Sequence, residues 1–404
     1  MLIQTFMLAF STAIGQLIVA LMFIWTARSE GPEMFGPVVA AISAGSTLAG
    51  FVDFGSNSLW VRELATQRMS LASVGHRLAS KLAVGALVAV GWSAIFAMVA
   101  PATQLWIAGP IAVSVILSQS FAVPLRAAGR SDLVAIGMLV DRLVAISAFS
   151  VLLAVQIEPT LALWLSMTVG PVTASAVSRW VLSGSQKPTL KFSPQLNPWK
   201  GSRHFGLSSA AVSAQTLDIS IMDFIAGPAA AGLYGAVNRW TQPMSLLAGA
   251  FTTASTPIVA QAATWKDAWP KVKRSAWLVL GAVFMCVAVA YLADPLVIIL
   301  VGPEYADAGK VLQFLALGTI GAVLNQPLAS FLQSLGRDRI VSTIVTSGVA
   351  VQLALVAFLS LQLGAFGASL AFCALQTMIL ILLILAIVTK KRMPRLPSGR
   401  HFRQ

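Results

Sequence analysis

Charge is scarce in this sequence. Asp, Glu, Lys and Arg make up 10% of its 404 residues, where a soluble domain carries about 25%. Against 57% apolar residues, that shortage excludes an ordinary water-soluble core, and single soluble cores in any case stop growing at roughly 250–300 residues. Cysteine is nearly missing. Cys286 and Cys373 both sit inside apolar runs, with no disulfide framework or metal-ligand spacing, and read as small hydrophobic fillers. The three histidines, His76, His204 and His401, fall in polar connections and read as solvated. No Walker A phosphate loop, H-E-x-x-H zinc site or G-x-S-x-G elbow occurs. Gly309-Lys310-Val311 lacks both the upstream glycine and the following Ser or Thr. The chain therefore reads as a non-enzyme with no metal and no cofactor.

What is present is apolar sequence in long runs. A spanning helix needs about 20 mostly apolar residues. Such runs lie near 4–26, 35–57, 80–100, 104–124, 133–155, 160–182, 205–226, 231–257, 274–293, 309–333, 339–362 and 364–388. They predict an all-α integral membrane protein of about 12 transmembrane helices. Pro295–Val301 is apolar but too short to span, and reads as interfacial. The first run has no preceding Lys or Arg and no small-residue cleavage pattern, so it reads as a retained span and not a signal peptide.

The formal net charge of +13 would suit a nucleic-acid binder. Here, however, the basic residues sit in short gaps between apolar runs, and no nucleic-acid partner is expected. One set of alternate connections holds Arg62, Arg68, Arg77 and Lys81, then Arg126 and Arg130, then Arg179 through Arg203. It continues with Lys266–Arg274, Arg337 and Arg339, and the tail Lys390–Arg403. The opposite set has only Arg28 and Lys310, beside Glu30, Glu33, Glu158, Asp294, Glu304 and Asp307. By the positive-inside rule, this predicts that both termini are cytoplasmic. The basic tail also suits contact with anionic lipid.

Two patterns recur. Gly31-Pro32-x3-Gly36, between the first and second runs, returns as Gly227-Pro228-x3-Gly232, between the seventh and eighth. Leu125-x3-Gly129-Arg130 returns as Leu332-x3-Gly336-Arg337. Their shared order predicts two pseudo-symmetric six-helix bundles around a central cavity, with a site near the midplane. The expected division is an N-terminal bundle at 1–183, a basic cytoplasmic linker at 184–203, a C-terminal bundle at 204–388 and a basic tail at 389–404. The linker contains Pro188, Pro194 and Pro198.

An ionisable side chain near the bilayer centre costs about 2.5–3.5 kcal/mol on insertion scales, so it is tolerated mainly where it meets water or a partner. Asp53, Asp141, Arg142, Asp218, Asp223 and Arg239 fall within the runs. Asp218 and Arg239 lie roughly 13 Å from the same membrane face at about 1.5 Å per residue. They are expected either to pair or to share a polar cavity with Gln215, Asn238 and Gln242; a structural salt bridge is the plainer reading. Asp141 and Arg142 are helix neighbours that do not face each other. Arg142 is a candidate anion contact, or else a snorkelling or interhelical group. Asp53 and Asp223, near helix ends, and Asp141 within its run read as helix-packing or gating residues. Gln4, Thr12 and Gln16 are polar groups in the first run with no assigned role. Trp25, Trp60, Trp106, Trp180, Trp199 and Trp277 lie near predicted ends and read as headgroup anchors.

Residues 30–64 and 215–262 resemble the polysaccharide-transport branch of the MOP exporter superfamily, the O-antigen and lipid-linked oligosaccharide flippases. The first stretch carries Gly31-Pro32-Glu33-Met34-Phe35-Gly36, Val52-Asp53-Phe54-Gly55 and Arg62-Glu63-Leu64. The second carries Gln215, Asp218, Ala230-Ala231-Gly232-Leu233-Tyr234, Arg239 and Pro257. Gly302-Pro303-Glu304-Tyr305 and Leu335-Gly336-Arg337 add a third match. The resemblance implies two bundles opening alternately to each side of a bacterial inner membrane. It also implies a cargo of undecaprenyl-diphosphate-linked oligosaccharide, moved from the cytoplasmic to the periplasmic leaflet. Membrane lipids, a polysaccharide polymerase and glycosyltransferases would be its partners. Arg142 and Arg239, with Asp218, Asn238 and Gln215, are the candidate substrate-binding residues. A cation-coupled multidrug exporter of the same superfamily is the competing reading. A membrane glycosyltransferase or polymerase is disfavoured, because the non-basic connections are too short to hold a sugar and paired carboxylates.

Overall fold

A computed structural model of the chain describes residues 2–182, 187–193, 197–261, 276–334 and 337–388. The tail 389–404, the basic connection around Lys266–Arg274 and parts of the linker lie outside them. Among the described residues every regular element is a helix. Bilayer hydrocarbon offers backbone groups no water, so each segment must satisfy them internally. The chain runs α1 (Leu2–Asp53), α2 (Ser56–Ala65), α3 (Leu71–Val99), α4 (Ala108–Phe121), α5 (Val123–Ala127), α6 (Ser131–Ala154) and α7 (Pro159–Val181). It continues as α8 (Arg203–Ala214), α9 (Leu217–Ala226), α10 (Pro228–Asn238), α11 (Gln242–Gln261), α12 (Trp277–Tyr291), α13 (Ala293–Leu300), α14 (Ala308–Ser334) and α15 (Asp338–Val388).

Among the described residues, seven helices are long and apolar enough to cross a membrane by length and composition. Two of them, α1 and α15, are each two arms joined at a glycine. Gly31 takes φ 74° and Gly364 φ 57°, conformations that L side chains rarely adopt. Phe23 and Phe35 would lie about 18 Å apart along a straight helix, yet their rings meet edge to face with centroids 5.9 Å apart. The chain has reversed at Gly31. At the other break, Gly367 packs on the Leu359 carbonyl so closely that no Cβ fits. Three further segments are broken: α8–α9, α10–α11, and α12–α13, which bends by 72°. With each arm and each broken pair taken as one segment, the described residues give twelve, and of the broken pairs α12–α13 meets the same length and composition test. The short α13 covers the Pro295–Val301 stretch, and its Val297 is fully buried. The outer surface is apolar, with Leu87, Met98 and Phe224 strongly exposed.

The two recurring patterns mark matching structures. Gly36 abuts the Pro228 carbonyl, and Gly232 abuts the Pro32 carbonyl. The contact is reciprocal, as a local two-fold requires, and each glycine is needed because a side chain would force the turns apart. The Arg130 N–H donates to the Leu125 carbonyl at 3.0 Å, and the Arg337 N–H donates to the Leu332 carbonyl at 3.0 Å. The first is the six-to-one bond of a helix-terminating glycine turn at Gly129, and the second spans the same five residues.

A hydroxyl-lined seam joins the halves between the second arm of α1 and the pair α8–α9. Ser220 Oγ donates to the Ala40 carbonyl at 2.8 Å. Thr47 Oγ1 donates to the Ser213 carbonyl at 3.2 Å, and Ser43 Oγ to the Thr216 carbonyl. At the basic end the linker docks on the first half. Trp199 Nε1 donates to the Val52 carbonyl at 2.8 Å, and Ser80 Oγ to the Ser193 carbonyl at 3.0 Å.

Two sequence expectations need correction here. Lys81, counted with the loop charges, is fully buried. Its ammonium donates to Asp53 Oδ1 at 2.9 Å, Ser56 Oγ at 3.1 Å and Asn57 Oδ1 at 2.8 Å, and lies 4.4 Å from the Trp60 ring centroid. Trp60 is accordingly a buried wall and not a headgroup anchor, and Trp199 serves the linker. Trp25, Trp180 and Trp277 are strongly exposed, as anchors would be. Asp53 also accepts from Ser56 Oγ and the Asn57 N–H. It thereby holds α2 after the left-handed Phe54–Gly55 turn.

Candidate functional site

Two helix breaks place the polar side chains. Pro243 has no N–H for the Arg239 carbonyl, and its ring would clash with that carbonyl in a regular helix. The chain responds with a 3-10 turn at Arg239–Thr241 between α10 and α11, and the Gln242 N–H closes on Arg239 instead. The α8–α9 break has no proline. Gln215, Thr216 and Asp218 bond three residues back at 3.3, 3.3 and 3.4 Å, and the Thr47 and Ser43 hydroxyls donate to the Ser213 and Thr216 carbonyls at the break. Discontinuous helices of this kind are where membrane transporters build ligand sites, because freed backbone is tolerated only beside a cavity or a protein partner.

A cavity of about 300 Å³ opens between these breaks and α14–α15, lined among others by Gln215, Asp218, Asn238, Arg239, Gln242 and Gln352. A second cavity of about 230 Å³ lies in the first half. Gln119, Arg126, Asp141 and Arg142 are among its lining residues. The structure thus brings Gln215, Asp218, Asn238, Arg239 and Gln242 together and puts Arg142 in the other half. Both arginines border the first arm of α1, Arg142 at Gly15 and Arg239 at Phe23.

Arg239 and Asp218 do not form the pair that was one of the two expected arrangements. Asp218 is buried. Its Oδ2 accepts from Tyr234 Oη at 2.8 Å, and its Oδ1 from the Ile219 N–H at 2.8 Å. The carboxylate is thereby turned toward α10's packed face. The Arg239 guanidinium instead sits 4.2 Å from the centroid of the Phe23 ring on the first arm of α1, a cation–π contact that crosses between the halves.

Arg142 does touch its chain neighbour, contrary to expectation: Nη2 lies 3.7 Å from Asp141 Oδ2. Adjacent helix residues do not face each other, and the length of this contact reflects that. Close packing directs both groups. Gly170 lies against Asp141 Oδ1 and the Asp141 carbonyl, and Gly15 leaves room for the stem of Arg142. Asp141 Oδ1 has no hydrogen-bond partner, and the Arg142 side chain keeps 30% exposure.

Asp53 lies outside both cavities, in the Lys81 cluster. Asp223 is buried with Oδ1 unpartnered and lines neither cavity. Thr12 Oγ1 returns to the Leu8 carbonyl at 2.7 Å. The Gln4 side chain is outside the described residues. Among the described residues no cluster of His, Cys, Asp and Glu is arranged to hold a metal.

Sequence reading passed over the neutral polar groups of α14–α15. Asn325 Nδ2 donates to the Gln376 carbonyl and to Gln376 Oε1, each at 3.0 Å. Gln352 lines the larger cavity. Each is an amide inside an apolar run, which is a usable signal: a buried amide needs partners.

The comparisons agree with this architecture. Residues 208–359 match the MatE family. No curated protein matches the sequence. Among solved structures, an inward-facing multidrug resistance MATE family transporter of the MOP superfamily superposes with a TM-score of 0.70 at 14% identity, covering 92% of this chain and 93% of that one. The lipid II flippase MurJ, in an inward closed conformation, gives 0.72 at 11% identity, over 95% and 87%. A MOP superfamily transporter from Pyrococcus furiosus, described as having a binding pocket of reverse polarity, gives 0.61 at 14% identity, over 95% and 94%. At such identities the likeness is one of fold. The chain is a multi-pass membrane protein with the fold of MOP-superfamily transporters, and it carries a MatE-family sequence match over residues 208–359.

Proposed function

We propose that this protein is a flippase for anionic lipid-linked saccharide, carrying undecaprenyl-diphosphate-linked oligosaccharide from the cytoplasmic to the periplasmic leaflet of a bacterial inner membrane. The observation that carries the reading is that Arg142 and Arg239, from different halves, both pack against the first arm of α1, Arg142 at Gly15 and Arg239 over Phe23, with Arg239 on an aromatic face instead of a carboxylate. Two guanidinium groups held near one another repel unless an anion joins them. A diphosphate supplies that anion and accepts planar donors from both sides. Such a headgroup cannot enter hydrocarbon with its water removed unless protein groups replace that water.

Alternating access then follows from the seam. The six-helix units, residues 1–183 and 204–388, rock about the boundary on which the arginines lie, and the anion is the ligand that favours the arginines' approach. Both termini face the cytoplasm, and the polymerase and glycosyltransferases that make and consume the glycan are its functional partners.

A second reading, a cation-coupled multidrug exporter, is favoured by the unpartnered Asp141 Oδ1 in the smaller cavity and by the MatE match. Deletion of the gene separates the two. Accumulation of lipid-linked repeat units on the cytoplasmic leaflet, relieved by the wild-type chain but not by Arg239→Ala, is the expected result. Drug sensitivity without accumulation would refute the flippase reading.

A further inference from the structure

The larger cavity has a chemistry that the arginines do not explain. Apart from Arg239, and from Asp218, which is engaged by Tyr234 and the Ile219 N–H, its polar lining is neutral: side-chain amides and hydroxyls. Gln352 is 2% exposed, lines this cavity, and has an Oε1 with no partner. Asn325, whose Nδ2 is doubly engaged by the lining residue Gln376, also has a buried Oδ1 without a donor. Unpaired buried acceptors are costly, and buried polar groups in native proteins normally have partners. A ligand that seats here must bring hydrogen-bond donors. An apolar drug cation would leave the amides unpaired, and an anion would leave the Gln352 Oε1 acceptor without a donor. A polyhydroxyl group supplies both donors and acceptors without charge.

We infer that this cavity is the saccharide subsite, which takes the hydroxyls of the sugar attached next to the diphosphate, with Gln352 Oε1 accepting from one of them. The inference rests on the diphosphate reading of the arginines and adds a division of labour to it. Arg239, shared between the inter-half boundary and this cavity, marks where phosphate ends and sugar begins. The smaller cavity, lined by Arg126, Asp141 and Arg142, is left to charged groups. At about 300 Å³ the larger cavity is at the small end of ligand pockets. It therefore suits the first sugar and not a whole repeat unit.

Binding to the purified full chain tests this, with undecaprenyl diphosphate bare, bearing a single N-acetylglucosamine, or bearing a single galactose. At least one glycosylated lipid should bind about tenfold tighter than the bare lipid, the worth of one or two net hydrogen bonds. Gln352→Leu should remove that gain and leave affinity for the bare lipid unchanged. Gln242→Ala, at an exposed side chain that folding does not need, should reduce the gain in part. Arg239→Ala should weaken all three lipids alike. If neither sugar adds affinity, or if Gln352→Leu retains the full gain, the saccharide assignment is overturned while the arginine reading stands. If the wild type binds none of the three, both fail.

Discussion

Replacing Lys81 by methionine keeps most of the side chain's bulk and removes an ammonium group that is fully buried. The loss strips Asp53 of its 2.9 Å ion pair and leaves it with the Ser56 hydroxyl at 3.0 Å and the Asn57 N–H at 3.3 Å. Asn57 Oδ1 and the face of Trp60 lose their partner as well. Removing one member of a buried pair costs about 3–5 kcal/mol, whereas replacing both by neutral groups is often close to neutral. At about 2 °C per kcal/mol for a chain of this size, Lys81→Met should lower the unfolding midpoint in detergent by roughly 6–10 °C. Asp53→Asn combined with Lys81→Met should recover most of that, since an asparagine oxygen still accepts from Ser56 and Asn57. Tryptophan fluorescence follows the transition. Because Val52, beside Asp53, receives the Trp199 hydrogen bond, the single variant should also expose the linker to limited proteolysis. A Lys81→Met protein as stable as wild type, or a double variant no better than the single one, would refute the claim that this cluster pins α2 and the linker.

Gly36→Ala or Gly232→Ala places a Cβ against a carbonyl of the opposing turn. It should cost about 1–3 kcal/mol as overpacking and bias the protein toward a state open at that end. Faster labelling by an impermeant maleimide of a cysteine placed at Glu33, with Cys286 and Cys373 removed, checks this. Pro243→Ala restores the N–H that a continuous helix requires. It should rotate Arg239 off Phe23 and cut transport at least tenfold while leaving thermal stability equal or higher, read in proteoliposomes. Partial burial and the nearby Glu158 push the Glu30 carboxyl above its ordinary range. Ionising a carboxyl whose folded value is raised loses stability as pH rises through that value. Glu30→Gln should therefore melt slightly higher than wild type near about pH 8, and the gap should close by about pH 4.

Helix number, approximate boundaries and the two sequence echoes were legible because each depends on local composition or on a glycine that the backbone demands. Gly31 and Gly227 announce their turns by their neighbours, and the structure adds that the two turns press on each other. Asp218, Arg239, Gln215, Asn238 and Gln242 could be grouped from equal depth on consecutive helices, a one-dimensional argument that sufficed to put them in one cavity. The same argument failed for their pairing. Depth says nothing about azimuth, and Tyr234 competes for Asp218 while Phe23 competes for Arg239. Lys81 was misread for a related reason. A basic residue at a helix end satisfies the orientation rule whether it faces headgroups or a buried carboxylate. Gln352 and Asn325 drew no notice because a single amide barely dents the hydropathy of a long run.

The sequence by itself determined that this chain lies in a bilayer, that it crosses as helices, and that it repeats a pattern in two halves. Scarcity of charge, run length and backbone-demanding glycines are properties of the chain that hold whatever it packs against. The tertiary structure alone decided which buried charges meet. It paired Lys81 with Asp53, turned Asp218 to Tyr234, and set Arg142 and Arg239, from different halves, against one arm of α1. Each of these outcomes depends on which helix faces lie together, and in a nearly uniform apolar sequence that facing is set by close packing at small residues such as Gly15, Gly36 and Gly170, where hydrophobicity offers no preference between one side of a helix and another.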